Sequence, residues 1–189
     1  MQFRNDAALE FLGSRRSHPP KLLQQPAPNR DQVTQLLTLA ARVPDHGKLE
    51  PWRFIVLSRE TLDRLAPILR QQVLEAGQDQ AAADKAEAAF ASPLIVAVIF
   101  SPVDSPKVPE WEQFLSAGAV CLGLVNAALA SGWGAAWLTG FAALNPDFGR
   151  NYLDLAENER IAGLIHIGTR GETPPERPRP DVTARTVWL

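Results

Sequence analysis

The chain has 189 residues, of which 46% are hydrophobic and 21% are charged. This composition is typical of one globular domain with its own core, and it excludes a disordered chain, a collagen-like chain and a coiled-coil rod. The 19 basic residues stand against 21 acidic ones, for a net charge of −2, which disfavours a nucleic-acid-binding module. The single cysteine, Cys121, excludes an internal disulfide framework and a cysteine-rich zinc site.

The first half of the chain mixes helical and strand patterns. Asp6 is expected to cap a short helix that ends at Gly13, and residues 14–28, with their prolines, are expected to form a loop. Asn29 begins the next helix, where Gln32 completes a capping box. The pattern then predicts a strand over 53–58, helices over 61–76 and 81–91, and a buried strand over 94–100.

The second half continues the mixture, with a helix over 110–130, a strand over 134–138, a helix from Asn145 to about 155, a strand over 161–167 and a proline-rich tail. Residues 117–138 are apolar enough to suggest a membrane span, but Gly and Ala dominate them, so a buried helix and strand fit better. The N-terminus lacks the apolar stretch of a signal peptide. We therefore expect a cytoplasmic protein without a membrane partner, and one α+β domain over 1–189, or an α/β domain with some parallel pairing.

Three neighbouring residues, Arg15-Arg16-Ser17, form the first candidate site. Two guanidinium groups and a hydroxyl suit a phosphate monoester, because arginine forms bidentate, charge-assisted hydrogen bonds with phosphate oxygens. The alternative is a solvated surface turn.

A loop over residues 42–54 forms the second candidate site, since it joins a helix to a strand and contains a histidine. Arg42 and His46 are its candidate binding residues. The alternative is structural: Arg42 would cap the preceding helix, and His46 would form a turn bond.

The other motifs give weaker indications of a functional site. Glycines over 132–140 are similar to a dinucleotide fingerprint, but here a helix precedes them and a strand follows, so a Rossmann site is rejected. The histidines have no partners at metal spacing, and we expect no metal site. No Gly-x-Ser-x-Gly motif or P-loop occurs, and Ser116 has no evident base. We therefore expect no catalytic side chain.

Taken in order, these segments resemble the FMN-dependent nitroreductase family, in particular its short bacterial NAD(P)H nitroreductase branch. The resemblance covers residues 7–189, and the order and spacing of the motifs are more specific than any one motif. The motifs are Arg15-Arg16-Ser17, Ala41-Arg-Val-Pro-Asp-His46, Pro51-Trp-Arg-Phe54, Lys107-Val-Pro-Glu-Trp-Glu-Gln113, Ser116-Ala-Gly-Ala119, Gly134-Ala-Ala-Trp-Leu-Thr-Gly140 and Gly163-Leu-Ile-His-Ile-Gly168.

The resemblance implies an α+β fold with a central mixed sheet flanked by helices, and an intertwined homodimer with FMN at the subunit interface. The cofactor-binding residues that it implies are Arg15, Arg16 and Ser17 at the phosphate and ribityl chain, Arg42 and His46 reaching in from the partner chain, and Trp137, Leu138 and Thr139 along the flavin.

One position departs from the family pattern. Relatives carry arginine where this chain has Leu138, so one implied phosphate contact is missing. Arg177 and Arg179 in the tail are the candidates to replace it, and we select Arg179 as a cofactor-binding residue; an exposed tail is the alternative. We expect residues 171–189 to form an extension that packs on the partner subunit.

The activity implied by the resemblance is a ping-pong oxidoreduction. NAD(P)H reduces FMN and leaves, and a nitroaromatic, quinone or similar small acceptor is then reduced in its place. The flavin carries the redox chemistry, which agrees with the lack of a catalytic side chain. Two alternatives stay open: flavin-dependent reduction of another substrate, of the enone or dehalogenation type, and a flavin-binding protein without turnover.

Overall fold

A five-stranded antiparallel sheet organises the chain, and the computed structural model describes it over residues 4–189. The strands are β1 (Leu23–Gln24), β2 (Trp52–Leu57), β3 (Leu94–Phe100), β4 (Gly134–Leu138) and β5 (Arg160–Arg170). Their order is β1-β5-β3-β2, and β4 also pairs with β5. Each of the four described pairings is antiparallel. The α+β class is confirmed, whereas the parallel pairing of a mixed sheet is wrong for this chain.

Seven helices surround the sheet in the described part of the chain. They are α1 (Asp6–Ser14), α2 (Arg30–Ala40), α3 (Arg59–Glu75), α4 (Gln80–Ala89), α5 (Glu110–Ala130), α6 (Gly140–Leu144) and α7 (Pro146–Leu153). The capping box at Asn29 is confirmed, because the Asn29 side chain accepts from the Gln32 N–H and the Gln32 side chain accepts from the Asn29 N–H. The cap of α1 is Asn5 rather than Asp6.

The central strand β3 divides the core in two. All seven of its residues are buried, and alternate side chains point to opposite faces of the sheet. Val96 and Val98 pack with α2 and α5 on one face, while Ile95 and Ala97 pack with α3, α4, α6 and α7 on the other. The sheet is therefore covered on both faces.

Helix α5 is the one described helix that is long and apolar enough to cross a membrane, judged by length and composition. Half of its most apolar window is buried in the domain. At Gly123 an added Cβ would lie 2.9 Å from the carbonyl oxygen of Ala40, so a side chain there would push α2 away. This close approach makes α5 a core helix.

Candidate active site

The loop after α1 carries Arg15, Arg16 and Ser17, and it forms a cluster of positive charge. Arg15 Nη2 donates to Ser17 Oγ at 3.3 Å, but the buried Nε of Arg15 has no hydrogen-bond partner. Burial, followed by the charges of Arg179 and Arg16, lowers the pKa of Arg15 below its usual value. The cluster therefore has an unpaired donor and an excess of cations, which an anion would satisfy.

The C-terminal tail returns to this loop. Arg16 donates from Nη2 and Nε to the carbonyl oxygen of Pro175, at 2.7 and 3.3 Å. Arg179 forms an ion pair with Glu176 at 2.8 Å. The loop and tail line a cavity of about 340 Å³. Arg179 lies close enough for its charge to act on Arg15, and its role in the cofactor site stays a prediction.

Two further residues, His18 and Arg170, line this cavity and were not predicted from the sequence. Buried His18 donates its backbone N–H to the Ala135 carbonyl at 2.9 Å, and burial is the main cause that lowers its pKa. Arg170 donates to the Leu129 and Trp133 carbonyls at 2.6 and 3.0 Å, so it closes the end of α5. His18 directly follows the Arg-Arg-Ser motif, which is a usable signal, whereas only the folded sheet reveals Arg170.

A phosphate group fits this cavity. The observation that tests the fit is the buried Nε of Arg15, which has no hydrogen-bond partner and lies near the charges of Arg16 and Arg179. Glu176 is the one acidic side chain among the residues that line the cavity. A phosphate supplies acceptor oxygens and a double negative charge, and arginine binds it in a bidentate manner. Ser17 adds a neutral hydroxyl close to Arg15.

The loop that follows α2 holds His46 in a defined position. The Asp45 carboxylate accepts from the backbone N–H groups of Leu49 and Glu50, at 3.3 and 2.9 Å. His46 Nδ1 lies 2.8 Å from Glu112 Oε1. His46 therefore contacts α5 through Nδ1 and does not form the turn bond considered as its structural role. Its Nε2 is left available to a ligand.

The His46 loop borders a cavity of about 530 Å³ beside α5, which Leu115 and Ser116 also line. Ser116 Oγ donates to the Pro44 carbonyl at 2.6 Å, so this serine is occupied by a structural bond. Arg42 is exposed just after α2, and its side chain forms no hydrogen bond within residues 4–189. Within one chain, His46 and Arg15 therefore line different cavities.

The end of β4 carries the third predicted group. Trp137 is 41% exposed, and its indole lies across Gly163 of β5, where an added Cβ would collide with Nε1. Since His18 pairs with Ala135, Trp137–Thr139 lie roughly 7–13 Å along β4 from the arginine loop. An extended ligand with an anionic end and a planar ring fits this spacing.

Leu138 points to the opposite face of the sheet from Trp137, as neighbours on a strand do. With Thr139 it lines a cavity of about 280 Å³ beneath α4, here called the α4 cavity. The side chain of an arginine at position 138 would start from this apolar face of the sheet. The structure therefore does not support a phosphate contact from position 138 in the cavity of Arg15. The flavin-lining role of Leu138 and Thr139 stays a prediction.

Comparison with known proteins identifies the family. The Nitroreductase family model matches residues 12–169. The chain belongs to the nitroreductase family. It is 37% identical over 163 residues to the Escherichia coli K12 protein named "Putative NAD(P)H nitroreductase YdjA", a match that covers 86% of this chain and 87% of that protein.

Solved structures of the same fold agree with this assignment. A nitroreductase-like protein from Bacillus cereus superposes with a TM-score of 0.79 at 21% identity, over 100% of this chain and 98% of that one. A nitroreductase with bound FMN from Bacteroides fragilis superposes with a TM-score of 0.72 at 19% identity, over 96% and 97%. At these identities the likeness establishes the fold.

Other reactive groups in this nitroreductase-family chain are structural. Burial raises the pKa of the Cys121 thiol to about 12, which removes it as a nucleophile. Within residues 4–189, no group of three His, Cys, Asp or Glu side chains is arranged to hold a metal ion.

Proposed function

We propose that this protein is an FMN-dependent oxidoreductase that uses NAD(P)H to reduce nitroaromatics, quinones or similar small acceptors by a ping-pong mechanism. The observation that carries the proposal is the arginine cluster with its unpartnered buried donor, in a chain of the nitroreductase family. The names of its relatives support NAD(P)H as the electron donor, and the FMN in a structure of the same fold supports the cofactor.

The protein's own residues bind and orient the cofactor. Arg15, Arg16 and Arg179 hold the phosphate by charge, and Ser17 adds its hydroxyl at the phosphate and ribityl chain. The Trp137 side chain lines the ring system at the other end of β4, and Leu138 and Thr139, whose side chains border the α4 cavity, line it through their backbone. When FMN is bound it supplies the redox chemistry, so no catalytic side chain is required.

A second copy of the chain completes the site. Trp111, Leu115 and Leu122 form an apolar stripe on the outer face of α5, and they are 66%, 63% and 48% exposed. A helix that is apolar on its outer face as well as its inner face is normally covered. Leu115 belongs both to this stripe and to the cavity of His46. A homodimer through this stripe would bring Arg42 and His46 to the flavin of the other subunit.

The tail would extend this dimer. Its first part is anchored at Arg16, whereas Val187, Trp188 and Leu189 are almost fully exposed. An apolar end of this kind would be covered by the partner subunit.

Turnover distinguishes this proposal from flavin binding alone. We expect the FMN-loaded protein to oxidise NAD(P)H steadily when a nitroaromatic or quinone is added, and the acceptor to be reduced in proportion. Parallel lines in double-reciprocal plots at several acceptor concentrations would support the ping-pong mechanism. FMN binding without NAD(P)H oxidation would favour the binding-only alternative, and turnover only with enones or halogenated compounds would favour the other substrate class.

A further inference from the structure

The α4 cavity has mostly apolar walls and lies on the face of the sheet away from α5. Its volume is about 280 Å³, and side chains of α3, α4, α6 and the sheet line it. Leu69, Ala82, Phe90 and Leu164 are among the apolar residues. Engineered apolar cavities of about 150 Å³ accommodate benzene, so this volume is sufficient for a small aromatic molecule.

Four polar side chains also line the cavity: Gln78, Lys85 and Thr139, which are exposed, and His166, which is buried. His166 on β5 is 1% exposed and lines the cavity. Its Nδ1 shares a hydrogen bond of 2.8 Å with the hydroxyl of Ser92, a buried residue. Nε2 forms no hydrogen bond with any residue over 4–189. Burial lowers the pKa of His166 to about 4, so the imidazole is neutral near neutral pH.

A hydroxyl group is the natural partner for this nitrogen. The bond between Ser92 and Nδ1 can be made by either tautomer, so Nε2 presents either an N–H or a lone pair. A hydroxyl both donates and accepts, and therefore suits both tautomers. The rest of the cavity wall is mostly apolar, so burial of apolar ligand surface against it is favourable.

We propose that the α4 cavity binds a small, mostly apolar molecule with one hydroxyl group, of the phenol class, whose hydroxyl bonds to His166 Nε2. This site is separate from the arginine cluster and does not depend on flavin chemistry. Leu138 and Thr139 line the cavity as well, so the ligand would lie directly behind the segment that we expect to line the flavin.

The test uses the protein as purified, with phenol and toluene as probes, and follows binding by NMR titration. Toluene has similar shape but lacks the hydroxyl. We expect saturable binding of phenol, and His166→Phe to weaken phenol by about 2- to 12-fold, the range for one net hydrogen bond, while toluene affinity stays unchanged.

A second pair of variants tests the location without altering His166. Ala82 lines the cavity, whereas its neighbour Ala81 is exposed on the same helix. We expect Ala82→Leu to fill the cavity and abolish binding of both probes, and Ala81→Leu to leave both unchanged.

Three results would overturn the proposal. An absence of saturable phenol binding would leave water as the partner of Nε2. Phenol binding that survives in Ala82→Leu would place the probe elsewhere, for example at the flavin. Equal loss of phenol and toluene in His166→Phe would show that the ring contributes packing but no hydroxyl recognition. None of these results depends on whether the protein reduces nitroaromatics.

Discussion

Arg16 and Pro175 are joined by two hydrogen bonds, from Nη2 and Nε of the guanidinium to one carbonyl oxygen, at 2.7 and 3.3 Å. They connect the loop after α1 to the tail across nearly the whole sequence. The contact holds the first part of the tail on its own chain and brings Arg179 near Arg15. The exposed residues 181–189 lie beyond this anchor, so the phosphate and dimer roles that we propose for the tail can be tested separately.

The arginine loop provides the first prediction. Arg15→Ala and Arg16→Ala should each weaken FMN binding by about 10- to 150-fold, because a hydrogen bond to a charged group is worth about 1.5–3 kcal/mol. The flavin-free variants should stay folded, since neither side chain belongs to the core clusters.

Flavin titration of the folded variants measures this effect. Arg64→Ala is the matched control, because Arg64 is exposed on α3 away from the arginine loop. Unchanged FMN affinity in both single variants and in the double variant would remove this loop from the cofactor site.

Two truncations separate the roles of the tail. Deletion of residues 181–189 removes the apolar end but keeps Arg179 and the Pro175 anchor, so we expect a weaker dimer that still binds FMN phosphate. Deletion of 172–189 removes both, so dimer stability and flavin content should fall together.

Mass in solution and flavin content, measured on the same samples, decide between these outcomes. A full dimer with full flavin occupancy after the longer deletion would show that the tail has neither role. Arg42 and His46 could still form a shared site in that case.

Local sequence signals predicted much of the scaffold. The seven apolar residues 94–100 became β3 with the expected bounds, and the helix over 110–130 became α5. The strand expected over 161–167 is longer than predicted, because β5 continues through Gly168 to Arg170. An added Cβ at Gly168 would lie 2.8 Å from Pro93 Cγ, so this glycine permits close packing inside the strand.

The elements that the sequence missed depend on distant partners. The two residues of β1 are a strand only because they pair with β5, and α6, with five residues, is too short to show a helical period. The contact between His46 and Glu112 likewise joins residues 66 positions apart. Tertiary contacts of this kind leave no pattern in the neighbouring sequence from which they could be predicted.

Glu112 is predicted to position His46. Glu112→Ala should weaken FMN binding by about 3- to 10-fold, the effect of losing one positioning hydrogen bond, whereas Glu112→Gln keeps an acceptor oxygen and should retain most of the affinity. If Glu112 acts through the histidine, adding Glu112→Ala to His46→Ala should have little further effect.

Glu110→Ala is the control for this series, since Glu110 lies in the same turn of α5 but pairs with Arg160. Flavin titration of these five variants and of the unaltered protein gives the comparison. Full additivity of the His46 and Glu112 substitutions would contradict the positioning role.

The ion pair between Arg53 and Glu159 predicts a specific acid sensitivity. Two hydrogen bonds of 2.7 and 2.6 Å join them, and Arg53 is the main cause that lowers the pKa of Glu159 from 4.5 to about 2. A depressed carboxyl pKa stabilises the fold above about pH 4.5, and that stability is lost as the pH falls towards 2.

Glu159→Gln should therefore lower the free energy of unfolding at neutral pH by about 1.5 kcal/mol, a value at the low end for charged hydrogen bonds because Arg53 is partly exposed. It should also flatten the pH dependence between about 4.5 and 2. Urea unfolding across this range provides the measurement, with Glu157→Gln as an exposed control. Identical pH profiles for Glu159→Gln and the unaltered protein would show that the pair does not govern acid stability.

We propose that this chain binds FMN at the arginine loop and passes electrons to it from NAD(P)H. The most direct measurement is the anaerobic visible spectrum of the FMN-loaded protein before and after NAD(P)H, and again after an acceptor is added. We expect a yellow protein whose released chromophore is FMN, whose colour is bleached by NAD(P)H, and whose colour returns with a nitroaromatic or quinone. A colourless protein that takes up no added FMN, or a bound flavin that NAD(P)H leaves oxidised, would contradict it.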